Sequence, residues 1–245
     1  MPIHPNFKSI HEKEWLINFS QCAPNGALNY TDLCNLLQLT ASEHSDLGGI
    51  SFADMQEKDQ AWVLSKMRIE IDALPKWNDT IVIKTWIVSL ENARSVRALE
   101  VYKNGVKLIS CETFWVVLNT RIRRPESLHL PHDHCEKFPQ MLPTVERVKR
   151  IRIPVDTVKL GSHKVVFSDL DIVNHVNNVK YLEWCLDLIY PKLLLKQTIK
   201  SLDLNFLNEL FLEDEVALFS ITIENTTTFS ILKEGRSCFS LEFTT

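Results

Sequence analysis

Asp169–Asn178 reads Asp-Leu-Asp-Ile-Val-Asn-His-Val-Asn-Asn, which packs two carboxylates, one histidine and three amides into ten residues. The stretch lies where a strand-like run gives way to a helical one. A helix start presents unpaired backbone N–H groups and a partial positive charge, which suit a developing oxyanion. A neighbouring imidazole or carboxylate could move protons. Together these are the parts of an acyl-transfer or hydrolysis site. Asp and Asn also precede helices simply as caps, and a single loop histidine is as readily a surface residue. Residue types alone therefore support chemistry and capping equally.

The elements that position this loop come in two similar sets. In the first, Leu33, Leu36, Leu37 and Thr40 fall at helical spacing within Leu28–Ser42, with Asn29 or Thr31 as the cap and Gly48-Gly49 as the stop. Strand-like runs follow at 61–71, 80–90, 95–102 and 107–118, and Asn104-Gly105 marks a hairpin between the last two. The second set opens with a short strand at 164–168 and a helix at 178–190. That helix has an apolar face of Val179, Leu182, Leu186 and Ile189, a cap at Asn177 or Asn178, and Pro191 just past its end. Strands follow at 201–207, 215–223, 227–232 and 237–243. Phe19-Ser20 and Phe167-Ser168 introduce the two loops in the same way, which reads as an internal repeat. The first loop, Gln21–Asn29, contains neither Asp nor His, so chemistry is expected in the second half. One helix followed by an antiparallel meander is an α+β arrangement with the helix across a curved sheet.

Between the halves, Pro125, Pro131, Pro139, Pro143 and Pro154 interrupt a polar stretch that reads as an extended connector. The expected organisation is a first domain at 1–125, a linker at 126–158 and a second domain at 159–245.

The run from Asp169 to Trp184, with Asp171, His175, Asn177-Asn178 and Tyr181 at its heart, resembles the D-x-D-x-N-x-H-V-N-N-x-x-Y motif of plant and bacterial acyl-acyl carrier protein thioesterases. Further similarity lies at Asn35–Ala41 with His44 and Gly48, at Pro75–Asp79 with Thr85-Trp86, and at Trp115–Asn119 with Arg123-Arg124-Pro125. The resemblance implies a tandem hotdog fold, in which each half is a long helix wrapped by a curved antiparallel sheet. It implies hydrolysis of fatty acyl thioesters on the phosphopantetheine arm of acyl carrier protein, with no cofactor or metal. It places catalytic roles on Asp171, His175 and Glu209, the last expected on a second-half strand. The family's Asn falls on Val173, so an amide role passes to Asn174 or Asn177 if it is kept. Backbone N–H groups near Val176 and Asn177 are the expected oxyanion donors, and Val176, Asn178 and Tyr181 the expected substrate contacts. The acyl chain is expected between the first helix and its sheet. Two alternatives are an acyl-CoA thioesterase of the same fold and an acyl-lipid-binding hotdog protein without turnover, the latter favoured only by Val173. The implied partner is acyl carrier protein, and a homodimer is left open.

Other features have plainer readings. Cys185 is one turn past Tyr181 and reads as a core residue, not a nucleophile. His129, His132, His134 and Cys135 match no usual zinc spacing and read as a solvated, mobile loop. Arg147, Lys149, Arg150 and Arg152, with Arg121, Arg123 and Arg124, read as a solvated strand edge or as a docking patch for an acidic carrier.

Composition narrows the remaining classes. A formal net charge of -4 gives no attraction to nucleic acid or anionic membrane. The first fifteen residues lack an apolar run, no stretch reaches the ~20 apolar residues of a membrane span, and six cysteines occur without a CxxC pair. A reducing, cytoplasmic location is expected.

Overall fold

A computed structural model of the chain describes residues 3–245. It divides into two compact units. The first runs through Ser65 and from Asp72 to Val148; the second takes Lys66–Ile71 and Lys149–Thr245. Each is a hotdog unit, a helix laid on an antiparallel sheet.

The first unit contains β1 (Ile10–Leu16), α1 (Tyr30–Leu47), α2 (Phe52–Gln56), β2 (Gln60–Ile71), β3 (Thr80–Glu91), β4 (Arg94–Lys103), β5 (Val106–Asn119) and the two-residue β6 (Arg124–Pro125). Its sheet runs β1-β3-β4-β5, with β6 paired to β5. Helix α1 buries Leu33, Cys34, Leu36, Leu37, Thr40, Ala41 and His44. The sequence pattern ends this helix at Ser42, but it continues to Leu47, where Gly48 closes it. The extension escaped the hydrophobic period because its buried residue is polar. His44 is 2% exposed and stacks between Phe7 and His11.

The second unit contains β7 (Val158–Lys164), α3 (Asn178–Leu186), α4 (Pro191–Leu195), β8 (Ser201–Phe206), β9 (Glu215–Ile223), β10 (Thr226–Lys233) and β11 (Arg236–Thr244). Its sheet order is β8-β11-β10-β9-β7, and residues 66–70 of β2 pair with β8. The expected strand at 164–168 lies earlier, because Phe167–Asp169 is a 3-10 turn with Phe167 exposed. The expected helix at 178–190 stops at Leu186. Pro191 then opens α4 at its first turn, where the missing N–H costs nothing.

The connector is also different from its sequence reading. Leu128, Leu130 and Cys135 are buried in a cluster with Ile50, Met55, Ile87, Leu90 and Val117. Phe138 N–H donates to the Ile87 carbonyl at 2.9 Å, and Trp86 Nε1–H to that of Met141 at 2.9 Å. His134 Nε2 bonds the Gly48 carbonyl at 2.9 Å. Thus 126–148 is packed into the first unit and is not a solvated loop. Prolines shape its path, and its few apolar residues are enough to seat it. The basic stretch is partly neutralised: Arg147 pairs with buried Glu112, Lys149 with Glu242, and Arg121 with Asp59.

The internal repeat extends to individual hydrogen bonds and ion pairs. Each unit has a 3-10 turn opened by an exposed phenylalanine, at Phe19 and Phe167. Gly26 N–H bonds the Ala23 carbonyl as Asn174 N–H bonds that of Asp171. Lys103 pairs with Asp79, and Lys233 with Asp214, each at 2.7 Å. The helices begin at equivalent caps, Asn29 and Asn177.

Candidate active site

The loop before α3 is a small closed turn. Asp171 N–H donates to the His175 carbonyl at 2.8 Å, and Asn174 N–H to the Asp171 carbonyl at 3.1 Å. Asn174 takes φ 63°, the left-handed conformation that asparagine tolerates best after glycine. Asp171 Oδ1 accepts the N–H groups of Val173 at 2.9 Å and His175 at 3.1 Å. An aspartate satisfying its own downstream backbone is ordinary turn chemistry. Here it fixes the backbone from which His175 projects, so Asp171 orients the histidine through the main chain.

Val176 N–H donates to the Leu210 carbonyl at 2.9 Å. This bond ties the loop to the turn that follows β8 and brings Glu209 beside His175. Glu209 Oε1 stands 3.5 Å from His175 Nδ1, both side chains about one quarter exposed. Phe211 meets the imidazole edge-on, with ring centroids 4.9 Å apart. Glu209 therefore lies just beyond the strand, not on it as the resemblance implied. A turn residue is free to aim its carboxylate at the loop, whereas strand residues are bound to the sheet's alternation.

Several expected roles change. The N–H groups of Val176 and Asn177 cannot form the oxyanion hole as drawn from sequence, since Asn177 N–H is spent on the Asp169 carbonyl at 2.9 Å and Val176 N–H on Leu210. The Asn177 side chain caps α3 by accepting from Val179 N–H at 3.2 Å. Truncation to alanine should remove this cap at a cost of about 1 kcal/mol. That is a fall of roughly 2–4 °C in melting temperature, readable by calorimetry. Tyr181 is 4% exposed and packs against Trp184, Phe206 and Phe239, so it belongs to the core and does not present itself to substrate. Burial pushes its hydroxyl pKa up. Asn178 is half-buried at the first helical position.

Asn174 supplies the turn's left-handed residue and is exposed, and Val173 contributes its N–H to Asp171. Asn174→Gly should consequently keep both stability and turnover, the latter within about threefold, while Asn174→Val should cost about 1–2 kcal/mol of backbone strain. A large loss of turnover in the glycine variant would restore a chemical role to this amide.

Cys185 is fully buried in α3, and burial pushes its thiol pKa up, which removes it as a nucleophile. Sequence reasoning missed His163, whose Nε2 bonds the buried Asp169 carboxylate at 2.9 Å while its ring lies 4.2 Å from that of Trp184. The same carboxylate accepts Val166 N–H at 2.9 Å, so Asp169 holds the 3-10 turn beneath the site. The pair joins residues six apart, across the end of β7 and the 3-10 turn, a spacing that belongs to no recognised motif.

The repeat supplies an internal control. By its hydrogen-bond pattern, Asp171 corresponds to Ala23, His175 to Ala27, and Leu210 to Pro75, which places Glu209 at Leu74. Ala27 and Leu74 are buried, so every polar member of the site is replaced by an apolar residue in the first unit.

Two hotdog units, the second carrying the His175–Glu209 pair at the loop before its helix, define a tandem hotdog protein with a candidate acid–base centre in that loop. Residues 8–138 match the acyl-ACP thioesterase N-terminal domain and residues 154–237 the corresponding C-terminal domain, and the chain belongs to the acyl-ACP thioesterase family. It is similar to a palmitoyl-acyl carrier protein thioesterase of Cuphea hookeriana, with 28% identity over 191 residues, 71% of this chain and 46% of that protein. A dodecanoyl-[acyl-carrier-protein] hydrolase of Cinnamomum camphora is 24% identical over 216 residues, 82% of this chain and 56% of that protein. The chain thus spans about half the length of the curated relatives it matches. Among solved structures, an acyl-ACP thioesterase from Bacteroides thetaiotaomicron superposes with a TM-score of 0.87 at 25% identity, covering 96% of this chain and 97% of that one. The 12:0-ACP thioesterase from Umbellularia californica shares the fold, with a TM-score of 0.79 at 18% identity over 97% of each chain.

Proposed function

We propose that this chain hydrolyses fatty acyl thioesters carried on acyl carrier protein, releasing the free fatty acid and the carrier thiol. The observation that carries this reading is the Glu209–His175 pair, held in place by Asp171 and by the Val176–Leu210 bond. With Nδ1 facing Glu209, the neutral imidazole donates Nδ1–H to the carboxylate and keeps a lone pair on Nε2. A water at Nε2 loses its proton to the ring as its oxygen attacks the thioester carbonyl. The tetrahedral intermediate then expels the sulfur, the imidazolium returns the proton to it, and the C–S bond is replaced by C–O. Glu209 stabilises the imidazolium between these steps. At 3.5 Å from Nδ1, the Glu209 carboxylate is within ion-pair reach of the ring.

Carrier and compartment are part of the same proposal. Family membership supports acyl carrier protein over coenzyme A as the handle. Six free cysteines, five of them buried, support a reducing, cytoplasmic setting.

The test is release of free fatty acid from a panel of medium- to long-chain acyl carrier proteins beside the matching acyl-CoAs. Turnover on the carrier substrates is the expected result. Activity confined to acyl-CoA would replace the carrier with a nucleotide handle, and acyl binding without release would make the chain a lipid-binding protein.

A further inference from the structure

His163 and Asp169 form a second histidine–carboxylate pair in the second unit, apart from the Glu209–His175 contact. Asp169 is 4% exposed, and its Oδ2 accepts from Val166 N–H and from His163 Nε2, each at 2.9 Å. A carboxylate only accepts, so His163 carries a proton on Nε2 and donates it to this bond. Burying a carboxylate without such donors is costly. The imidazole is itself held from two sides. It stands on the edge strand β7, in register with Val216 of β9, and its ring lies 4.2 Å from that of Trp184 on α3.

Asp169 in turn holds the loop of His175. Its carbonyl accepts Asn177 N–H at 2.9 Å, Leu170 bridges to Val176, and Asp171 N–H donates to the His175 carbonyl at 2.8 Å. Residues 169–171 and 175–177 are therefore two short paired arms. Asp169 anchors the end where the arms join the turn and α3, and His175 stands two residues along.

The first unit builds the same arms without this pair. Asn29 N–H donates to the Gln21 carbonyl at 2.9 Å, and Cys22 bridges to Leu28, so Gln21 occupies the place of Asp169. Gln21 Oε1 accepts Asn18 N–H at 2.9 Å, as Asp169 accepts that of Val166. Trp15 stands where His163 does, three residues before that N–H, and its Nε1–H donates to Thr40 Oγ1 at 3.0 Å. A neutral amide thus suffices to close the turn. The buried carboxylate and its histidine occur in the unit whose loop also carries His175.

We propose that His163 is a positioning residue for His175, acting through Asp169 to fix the paired arms from which the imidazole projects. The consequence for turnover rests on the thioesterase reading; the hold on the loop does not.

Two substitutions separate the bond to Asp169 from packing on Trp184. His163→Phe keeps a ring and removes the donor, whereas His163→Gln removes the ring and keeps an N–H donor near the place of Nε2. In His163→Phe, kcat for decanoyl-acyl carrier protein should fall about tenfold with KM within about twofold, since a displaced base slows chemistry and leaves acyl binding alone. His163→Gln should recover to within about threefold of wild type. Amide hydrogen exchange reads the loop without turnover. Exchange at Asp171 and Asn177 should quicken about tenfold in His163→Phe and return in His163→Gln, while amides of β10 and β11 keep their protection.

Unchanged exchange at Asp171 and Asn177 in His163→Phe overturns the proposal, as does unchanged turnover in that variant. Equal losses in both variants overturn it too, because the donor would then not be what matters. Full activity in His163→Phe with loss in His163→Gln would assign the residue to packing alone. A wild type that hydrolyses no acyl substrate sinks the thioesterase reading, and the exchange rates then decide the hold on the loop by themselves.

Discussion

His175→Ala is expected to lower kcat for acyl carrier substrates by roughly a thousandfold, within the 10²–10⁴ contribution typical of a positioned acid–base group. KM should change little, because the imidazole acts on water and on the leaving sulfur and does not hold the acyl chain. Glu209→Ala should lose less, about a hundredfold, since the ring remains but its Nδ1–H and its charged form are no longer stabilised. Glu209→Gln keeps the shape without the charge and should resemble the alanine variant. Both side chains are partly exposed, so the melting temperature should hold and the losses can be read as chemistry. Because the two residues act on the same proton, the double variant should be little worse than His175→Ala alone. Simple multiplication of the two losses would show that they work independently and would refute the dyad.

Acid should destabilise the chain through His44. An unfolded histidine titrates near 6.5, while burial and then the Arg97 charge push the folded pKa down to about 3. Between those values the unfolded state binds a proton that the native state refuses. The stabilisation is therefore complete above pH 6.5 and is lost as pH falls toward 3. Its slope within the window is about 1.4 kcal/mol per pH unit. Lowering the pH from 7 to 5 should cost about 2 kcal/mol, or roughly 4–8 °C in melting temperature. His11 acts in the same direction, lowered chiefly by burial with Glu43 opposing. Asp203 acts the other way: burial raises it to about 6 against the Arg68 charge, so its contribution to stability grows as pH falls from 6 toward 3.8. The informative measurement is the difference between wild type and His44→Gln, whose amide oxygen can still accept from Arg97. A flatter profile in the variant is expected, and parallel profiles would remove His44 as the cause.

How far the sequence reached depended on the range of the interaction. The strands Gln60–Ile71, Thr80–Glu91 and Glu215–Ile223 were legible to within a residue or two, since alternation and turn residues are local signals. Strand Ile10–Leu16 and helix Phe52–Gln56 were not anticipated. The first carries charges on a half-exposed edge, and the second is a single turn held by a Ser51–Asp54 capping box. Asp171, His175 and Glu209 were named from motif resemblance, but residue types could not say how they were used. The Asp171 carboxylate accepts backbone N–H groups, the Asn177 amide oxygen caps a helix, and Tyr181 is core.

Short-range signals establish the two repeated α+β units and which of the two loops carries polar chemistry, and motif resemblance points to the family. The units and the choice of loop follow from local periodicity and from residues close together in the chain. Closure of the chain brings Glu209 to His175, puts Ala23, Ala27 and Leu74 in the matching places of the first unit, and packs the proline-rich segment. It also sets the buried Arg97 against a neutral histidine, His44. Such contacts join residues tens of positions apart, and their energetics depend on burial and on which backbone groups are already bonded, quantities that exist only once the chain has closed on itself.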